Sequence, residues 1–259
     1  MKLVVAVAAG GLALAVLALF FAQRALLFPA PRPPRTPQPQ LGELIRLPST
    51  VALWSPPTRG ARVVVHFHGN GEQLADLGGV IAALRNRGLG VLAVEYPGYG
   101  LAGGSPSERA LVSAGEEALA YAKEKLRVAP DRIVLQGQSL GSGVAAQLCS
   151  RGHGSRLVLL SPYTSIPDLA SRLFRPARWL VRDRFDTRAV ARALRVPVLI
   201  VHGDLDEVIP FSMGDELART FPDARFVRVL GGHHNDLWLD HAQELTEAIS
   251  SFVGPSAAP

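Results

Sequence analysis

The sequence predicts an α/β domain built on a mostly parallel, twisted sheet with helices on both faces, preceded by one N-terminal transmembrane helix. Four observations predict it. Residues 62–67, 90–95, 131–135, 157–160 and 197–201 are aliphatic almost throughout, the pattern of strands buried on both faces of a parallel sheet. Longer stretches of mixed character alternate with them and suit covering helices. The chain has 259 residues, 48% of them hydrophobic, enough for one large domain with a well-buried core. Finally, residues 3–22 are a near-continuous apolar run without charge. As a helix rising about 1.5 Å per residue, the run spans roughly 30 Å, the hydrocarbon thickness of a bilayer.

In chain order, Lys2 precedes that run and Arg24 follows it. A cleaved signal peptide is the rival reading, but no small-x-small cleavage pattern stands near Ala22, so an uncleaved anchor over residues 1–24 is expected. The very short tail before it favours an amino end inside and a folded domain on the non-cytoplasmic side, although Arg24, Arg32 and Arg35 follow the run. Residues 25–42 are rich in proline and read as an extended, semi-stiff linker. The domain proper is expected over residues 43–254, with a disordered tail at 255–259. Strands are expected at 44–47 and 51–54, then a helix at 73–87. A helix at 106–125 follows, for which Ser105 or Ser107 is the candidate N-cap. Residues 161–194 are irregular, Arg-rich and too short for a large cap domain, so an open site is expected. A helix at 212–220, a strand at 225–229 and a closing helix at 236–252 complete the chain.

The formal net charge is +5. It suits an anionic surface such as phospholipid head groups, and equally an ordinary solvated basic surface. No lysine and aromatic interleaving marks a nucleic-acid site. The single cysteine, Cys149, excludes an intrachain disulfide.

Chemistry concentrates at Gly137-Gln138-Ser139-Leu140-Gly141, which follows the strand at 131–135 and opens a segment of small, helix-compatible residues. A serine on a strained strand-to-helix turn projects its hydroxyl from the sheet edge. Side chains at 137 and 141 would collide with the converging strand and helix, so glycine is needed at both. Leu140, first in the helix, offers a backbone N–H where an oxyanion would form.

A nucleophilic serine needs a base, and the base an orienting acid. Downstream, two loops leave strand ends: His202-Gly203-Asp204-Leu205-Asp206 and Gly231-Gly232-His233-His234-Asn235-Asp236. Asp204 and Asp206 are both candidate acids, and His233 and His234 both candidate bases. Spacing alone does not separate them.

Residues from about 43 to 252 resemble the α/β-hydrolase superfamily. More narrowly, they are similar to its membrane-anchored, lidless serine hydrolases of the serine-peptidase-like and depalmitoylase-like kind. The resemblance rests on His-Gly-Asn-Gly (68–71), Tyr-Pro-Gly-Tyr-Gly (96–100), Gly-Gln-Ser-Leu-Gly (137–141), Ser-Pro-Tyr-Thr-Ser (161–165), Arg-Asp-Arg-Phe-Asp (182–186), His-Gly-Asp-Leu-Asp-Glu-Val-Ile-Pro (202–210) and His-His-Asn-Asp (233–236). It implies Ser139 as nucleophile, Asp206 as acid, His234 as base, and the backbone N–H groups of Leu140 and Asn70 as the oxyanion hole. One departure is His233, where small residues are usual. The resemblance further implies an acyl-enzyme serine hydrolase without metal or organic cofactor. Tethering to a membrane points to small-molecule or acylated substrates, esters and thioesters before amides and peptides, and the composition to no nucleic-acid partner.

Two readings of other classes compete. His66 and His68, two apart on a strand, point the same way and could recruit His202 and Asp204 around a metal, but that leaves the serine constellation unexplained. A hydrolase fold can also serve as an inactive, membrane-tethered binding module.

Overall fold

Strands that are apolar on both faces need helices above and below them, and the chain supplies these in alternation. The computed structural model describes residues 1–58 and 60–254, without the side chains of residues 3–9, 12, 13, 15 and 173. The expected tail, 255–259, lies outside the described residues. Among the described residues eight strands form one sheet: β1 (Glu43–Arg46), β2 (Val51–Ser55), β3 (Val63–Phe67), β4 (Gly90–Val94), β5 (Ile133–Gln138), β6 (Arg156–Leu160), β7 (Val198–Gly203) and β8 (Ala224–Val229). The helices are α1 (Lys2–Leu27), α2 (Gly78–Arg85), α3 (Glu108–Glu124), α4 (Leu140–Ser150), α5 (Ile166–Leu173), α6 (Thr187–Ala191), α7 (Phe211–Thr220) and α8 (Ala242–Val253).

The strand order is β1-β2-β4-β3-β5-β6-β7-β8. The pairs β1–β2 and β2–β4 are antiparallel and the rest parallel. The chain leaves β3 for β4 on one side, then returns to place β5 on the other. Between β3 and β5 the winding therefore reverses, and the carboxyl ends of these two strands flank the crevice where ligands gather in open α/β sheets.

Side-chain alternation divides the core. Val63, Val65 and Phe67 of β3 join Leu119 of α3 and Val144 and Leu148 of α4 in one layer. Val64 faces the other layer, with Ile81 and Leu84 of α2 and Ile249 and Val253 of α8. Each such aliphatic side chain contributes about 1.5–3 kcal/mol on burial, so three wholly buried neighbouring strands make a stiff base for the loops at their ends.

Two helices begin elsewhere than expected, each for a local polar reason, and the choice between two candidate caps is settled. The helix expected at 73–87 is split: a 3-10 turn, Leu74–Asp76, is closed by a reciprocal Gln73–Asp76 capping box before α2 begins. Of the two candidate caps of α3, Ser107 does the work, its hydroxyl accepting from Ala110 N–H at 3.1 Å. The closing helix starts at Ala242 rather than 236 because Asp236 is engaged in turns. Its Oδ1 accepts from His233 N–H at 2.8 Å, and its carbonyl accepts from Leu239 and Asp240, each at 2.8 Å.

The run expected to span a membrane lies wholly within α1. Among the described residues no helix is long and apolar enough to cross a membrane. The segment that follows α1 is fastened to the domain. Phe28 is buried edge-on to Phe185 at 6.5 Å, and Arg35 N–H donates to Gln73 Oε1 at 2.8 Å.

Candidate active site

The turn after β5 holds Ser139 at φ 50°, ψ −118°, a region of backbone space that non-glycine residues occupy only when their surroundings enforce it. The enforcement is visible. Ser139 N–H donates to Leu160 O at 2.9 Å, and the Ser142 N–H and hydroxyl return to Ser139 O at 2.9 and 2.7 Å. A Cβ at Gly137 would strike the Gly141 carbonyl, and one at Gly141 the Phe67 carbonyl. Both glycines are therefore required by close approach of backbone.

From this turn a relay runs through three loops. Ser139 Oγ lies 3.0 Å from His234 Nε2, and His234 Nδ1 lies 2.8 Å from Asp206 Oδ2. All three residues are buried, with less than a tenth of their surface exposed. A carboxylate can only accept, so the imidazole proton sits on Nδ1 and leaves Nε2 free to accept from the hydroxyl. Asp206 is anchored in turn. Its Oδ1 accepts from the N–H groups of Val208 (3.0 Å) and Ile209 (2.7 Å), and its Oδ2 also faces His202 Nε2 at 3.3 Å. Burial opposes its charge, but the hydrogen bonds from His202 and His234, with that of Ile209, hold its pKa well below the ordinary carboxylate range.

The competing candidates go elsewhere. Asp204 accepts from Arg228 Nε and Nη2 at 3.0 and 2.7 Å and from Gly231 N–H at 2.7 Å. His233 is exposed and faces Glu207 across 3.1 Å. Neither belongs to the relay.

The second side of the crevice is the turn after β3. Leu140 opens α4 and so has no intrahelical acceptor for its N–H, and Asn70 lines the same cleft as Leu140 and Ser139. Beneath this turn His68 is buried. Its Nε2 faces Glu95 Oε1 at 2.9 Å and its Nδ1 faces Gly69 O at 2.8 Å. Burial disfavours the imidazolium, yet the hydrogen bond and charge of Glu95 prevail and raise its pKa. Asn70 is held through its side chain, which accepts from Tyr99 OH and donates to Leu27 O, both at 2.7 Å. The cleft itself measures about 400 Å³ and is apolar along Leu27, Leu140, Ile166, Leu169, Val208 and Ile209. A larger hollow of about 570 Å³, bordered by Arg46, Pro97 and Leu101, contains no part of the relay.

His66 and His68 do not converge with His202 and Asp204. His66 is buried against Gln136 Nε2 at 3.1 Å, and among the described residues no group of three potential ligands could hold a metal ion. The sequence reading missed His202 as a neighbour of Asp206, Glu95 beneath the Asn70 turn, and the Trp238 indole N–H that donates to Gln138 Oε1 at 2.8 Å. For Glu95 a signal existed: an acidic residue ending an otherwise aliphatic strand must have a buried partner.

A family profile described as serine aminopeptidase, S33, matches residues 58–192, just over half of the chain. An uncharacterised protein of Mycobacterium tuberculosis H37Rv is 31% identical over 197 residues, which cover 75% of this chain and 70% of that protein. Among solved structures, Est1E from Butyrivibrio proteoclasticus with ferulic acid bound superposes with a TM-score of 0.69 at 20% identity, covering 82% of this chain and 97% of that one. A monoacylglycerol lipase of Paleococcus ferrophilus gives 0.62 at 20% identity, with coverages of 82% and 98%.

Proposed function

This chain belongs to the S33 serine aminopeptidase family of α/β-hydrolase enzymes, and from that membership and its relay we propose that it cleaves carboxylic esters or thioesters through an acyl-enzyme on Ser139. The observation that carries the reading is the unbroken sequence of contacts from Ser139 Oγ to His234 to Asp206, at 3.0 and 2.8 Å, on a strained turn.

In this reading His234 Nε2 takes the hydroxyl proton as Ser139 Oγ bonds to the substrate's carbonyl carbon. Asp206 keeps the ring in the Nδ1–H tautomer and stabilises the imidazolium. The oxyanion is held by the N–H groups of Leu140 and Asn70; one such donor is worth about 2.7–4 kcal/mol of barrier. The carbon–oxygen or carbon–sulfur bond then breaks, and the leaving group takes the proton from His234. Water, deprotonated by His234, attacks the acyl-enzyme and frees the acid and Ser139.

Ester or thioester is placed before amide because the cleft walls are apolar on the side of Leu27, Ile166 and Leu169, as an acyl chain requires. The amidase reading draws on the family description. The carboxylate at the cleft, Glu72, already accepts from Gly69 N–H at 2.6 Å, which leaves it poorly free to hold a substrate's α-amine. Anchoring by α1, with the hydrolase domain on the non-cytoplasmic side, belongs to the same proposal and draws on the uncharged run at residues 3–22.

The test is labelling of the membrane-extracted full chain by a fluorophosphonate. Wild type is expected to label, Ser139→Ala not at all and His234→Ala far more slowly. Folded wild-type protein that never labels would overturn the reading in favour of an inactive binding module. A panel pairing esters with aminoacyl amides then orders the two substrate classes.

A further inference from the structure

The end of α1 is built into the active site. Leu27, in the last turn of the helix, lines the Ser139 cleft, and its carbonyl holds the Asn70 side chain at 2.7 Å. One turn earlier, α1 is riveted to residues 180–183. Gln23 Nε2 donates to Leu180 O at 3.3 Å, Gln23 Oε1 accepts from Arg182 N–H at 2.9 Å, and Arg24 donates to Asp183 through Nε at 2.7 Å and Nη2 at 3.1 Å. The Arg182 guanidinium also sits over the Phe20 ring at 5.4 Å. Helix, cleft wall and the 174–184 segment thus form one piece.

The outer surface of that piece is apolar and basic. Phe174 and Trp179 are 63% and 79% exposed, and on α1 Leu14, Leu17, Leu19, Phe21 and Leu26 are all more than half exposed. At about 100° per residue, Leu14, Leu17 and Phe21 fall on one side of the helix and Leu19 and Leu26 on the other. A single protein partner packing on one stripe would leave half of them in water; an apolar solvent covers both sides. Around the aromatic residues stand Arg172, Arg175, Arg178, Arg182 and Arg184, all exposed, and the acid among them, Asp183, is buried under Arg24. Aromatic residues flanked by arginines next to a helix that is uncharged over residues 3–22 are the composition of a protein surface resting in an anionic lipid interface.

We propose that the last turns of α1 and residues 174–184 form one ledge seated in an anionic lipid layer, and that this ledge delivers to Ser139 an ester or thioester whose acyl chain stays in that layer. The chain would pass along Leu27 and Leu169 to the reacting carbonyl without crossing water. The bond broken is the one assigned above, and the inference rests on the hydrolase and anchor reading.

The experiment uses the full chain reconstituted into vesicles of phosphatidylcholine alone or mixed with phosphatidylglycerol. In mixed vesicles carrying brominated acyl chains, tryptophan fluorescence is expected to be strongly quenched, and the quenched share to fall in Trp179→Phe. Equal quenching in wild type and Trp179→Phe would overturn the ledge. In the second arm, turnover of umbelliferyl palmitate in the bilayer is divided by turnover of umbelliferyl butyrate in water. That ratio is expected to fall roughly tenfold in phosphatidylcholine alone and in Arg175→Gln/Arg178→Gln, the scale of losing one or two arginine–headgroup contacts. A ratio indifferent to lipid charge and to these arginines, with both esters still cleaved, overturns lipid delivery and leaves the hydrolase reading standing. Intact quenching with neither ester cleaved overturns delivery and the hydrolase reading together.

Discussion

His202, near the end of β7, and His234, in the loop that leaves β8, approach the same oxygen of Asp206, at 3.3 and 2.8 Å. His202 is fixed by a second bond, Nε2 to Ile209 O at 2.9 Å, and Ile209 N–H in turn donates to Asp206 at 2.7 Å. The carboxylate thus cannot swing without breaking several buried contacts, and the imidazole that it orients is aimed at Ser139.

The paired candidates provide a direct comparison. Asp206→Asn should lower kcat by about 10⁴, because an amide stabilises the wrong imidazole tautomer and no imidazolium. Asp204→Asn should leave kcat within a few-fold and change stability little, since it only loosens a solvent-screened tie to Arg228 and Gly231. His234→Ala should abolish turnover and His233→Ala leave it nearly unchanged. Steady-state kinetics on a short-chain ester checks all four; a large loss in the Asp204 or His233 variant would move the relay.

The elbow glycines carry a prediction about folding. Gly141→Ala places a methyl group against the Phe67 carbonyl, and that atom is main chain of a central strand. Strand or helix must shift, so a loss of about 3 kcal/mol or more is expected in urea unfolding. Gly231→Ala is the contrast, with open space around it but φ at 75°; backbone strain alone should cost about 1 kcal/mol.

His66 gives the protein an acid-sensitive core. Burial, with the neighbouring His68, pushes its pKa down to about 3. The unfolded chain, near the ordinary value of about 6.5, binds the proton first as pH falls, so stability drops below that value. Between pH 6.5 and pH 5 the loss is about 2 kcal/mol at ~1.36 kcal/mol per unit. Asp206 does not contribute over this range. Its pKa is depressed, and its stabilisation is lost only as pH falls below the unfolded carboxylate value of about 3.9. Urea unfolding at the two pH values should show the drop in wild type and a much flatter response in His66→Leu, whatever that variant loses at every pH. Equal slopes would show that His66 is not the group responsible.

The sheet was legible because its strands are apolar on both faces, a pattern that burial alone produces. Ser139 was legible because sterics demand glycine at 137 and 141. The choice of Asp206 over Asp204, and of His234 over His233, was not available from spacing. Each pair sits in one loop, and the choice depends on which member Arg228 and Glu207 draw to the surface. The start of α8 was misplaced because Asp236, apt as an N-cap, is instead engaged by His233 N–H. Residues 25–42 read as a spacer on composition. The ties from Phe28, Arg35 and Leu27 to distant partners leave no local trace in the sequence.

The pair of His68 and Glu95 supports the turn that carries Asn70, and its loss should be felt in both stability and catalysis. The two side chains are 2.9 Å apart and almost wholly buried. Glu95 Oε2 also accepts from Leu74 N–H at 3.1 Å, which ties the turn to the segment ahead of α2. Breaking a buried pair by removing one charge typically costs about 3–5 kcal/mol, because the other charge stays uncompensated; Glu95→Gln should fall in that range. The pH response separates this from simple damage to packing. The folded pKa of His68 is raised, so its stabilisation is complete below the unfolded value of about 6.5 and is lost as pH rises through the folded one. Wild type should therefore lose stability on the alkaline side, and Glu95→Gln should lose that dependence. With the turn loosened, kcat should fall while KM for a short ester changes little, as expected when a donor acting on the transition state is displaced. Unfolding curves from pH 6 to 9, with kinetics at each pH, decide it. An alkaline slope that survives in Glu95→Gln would assign it to another group.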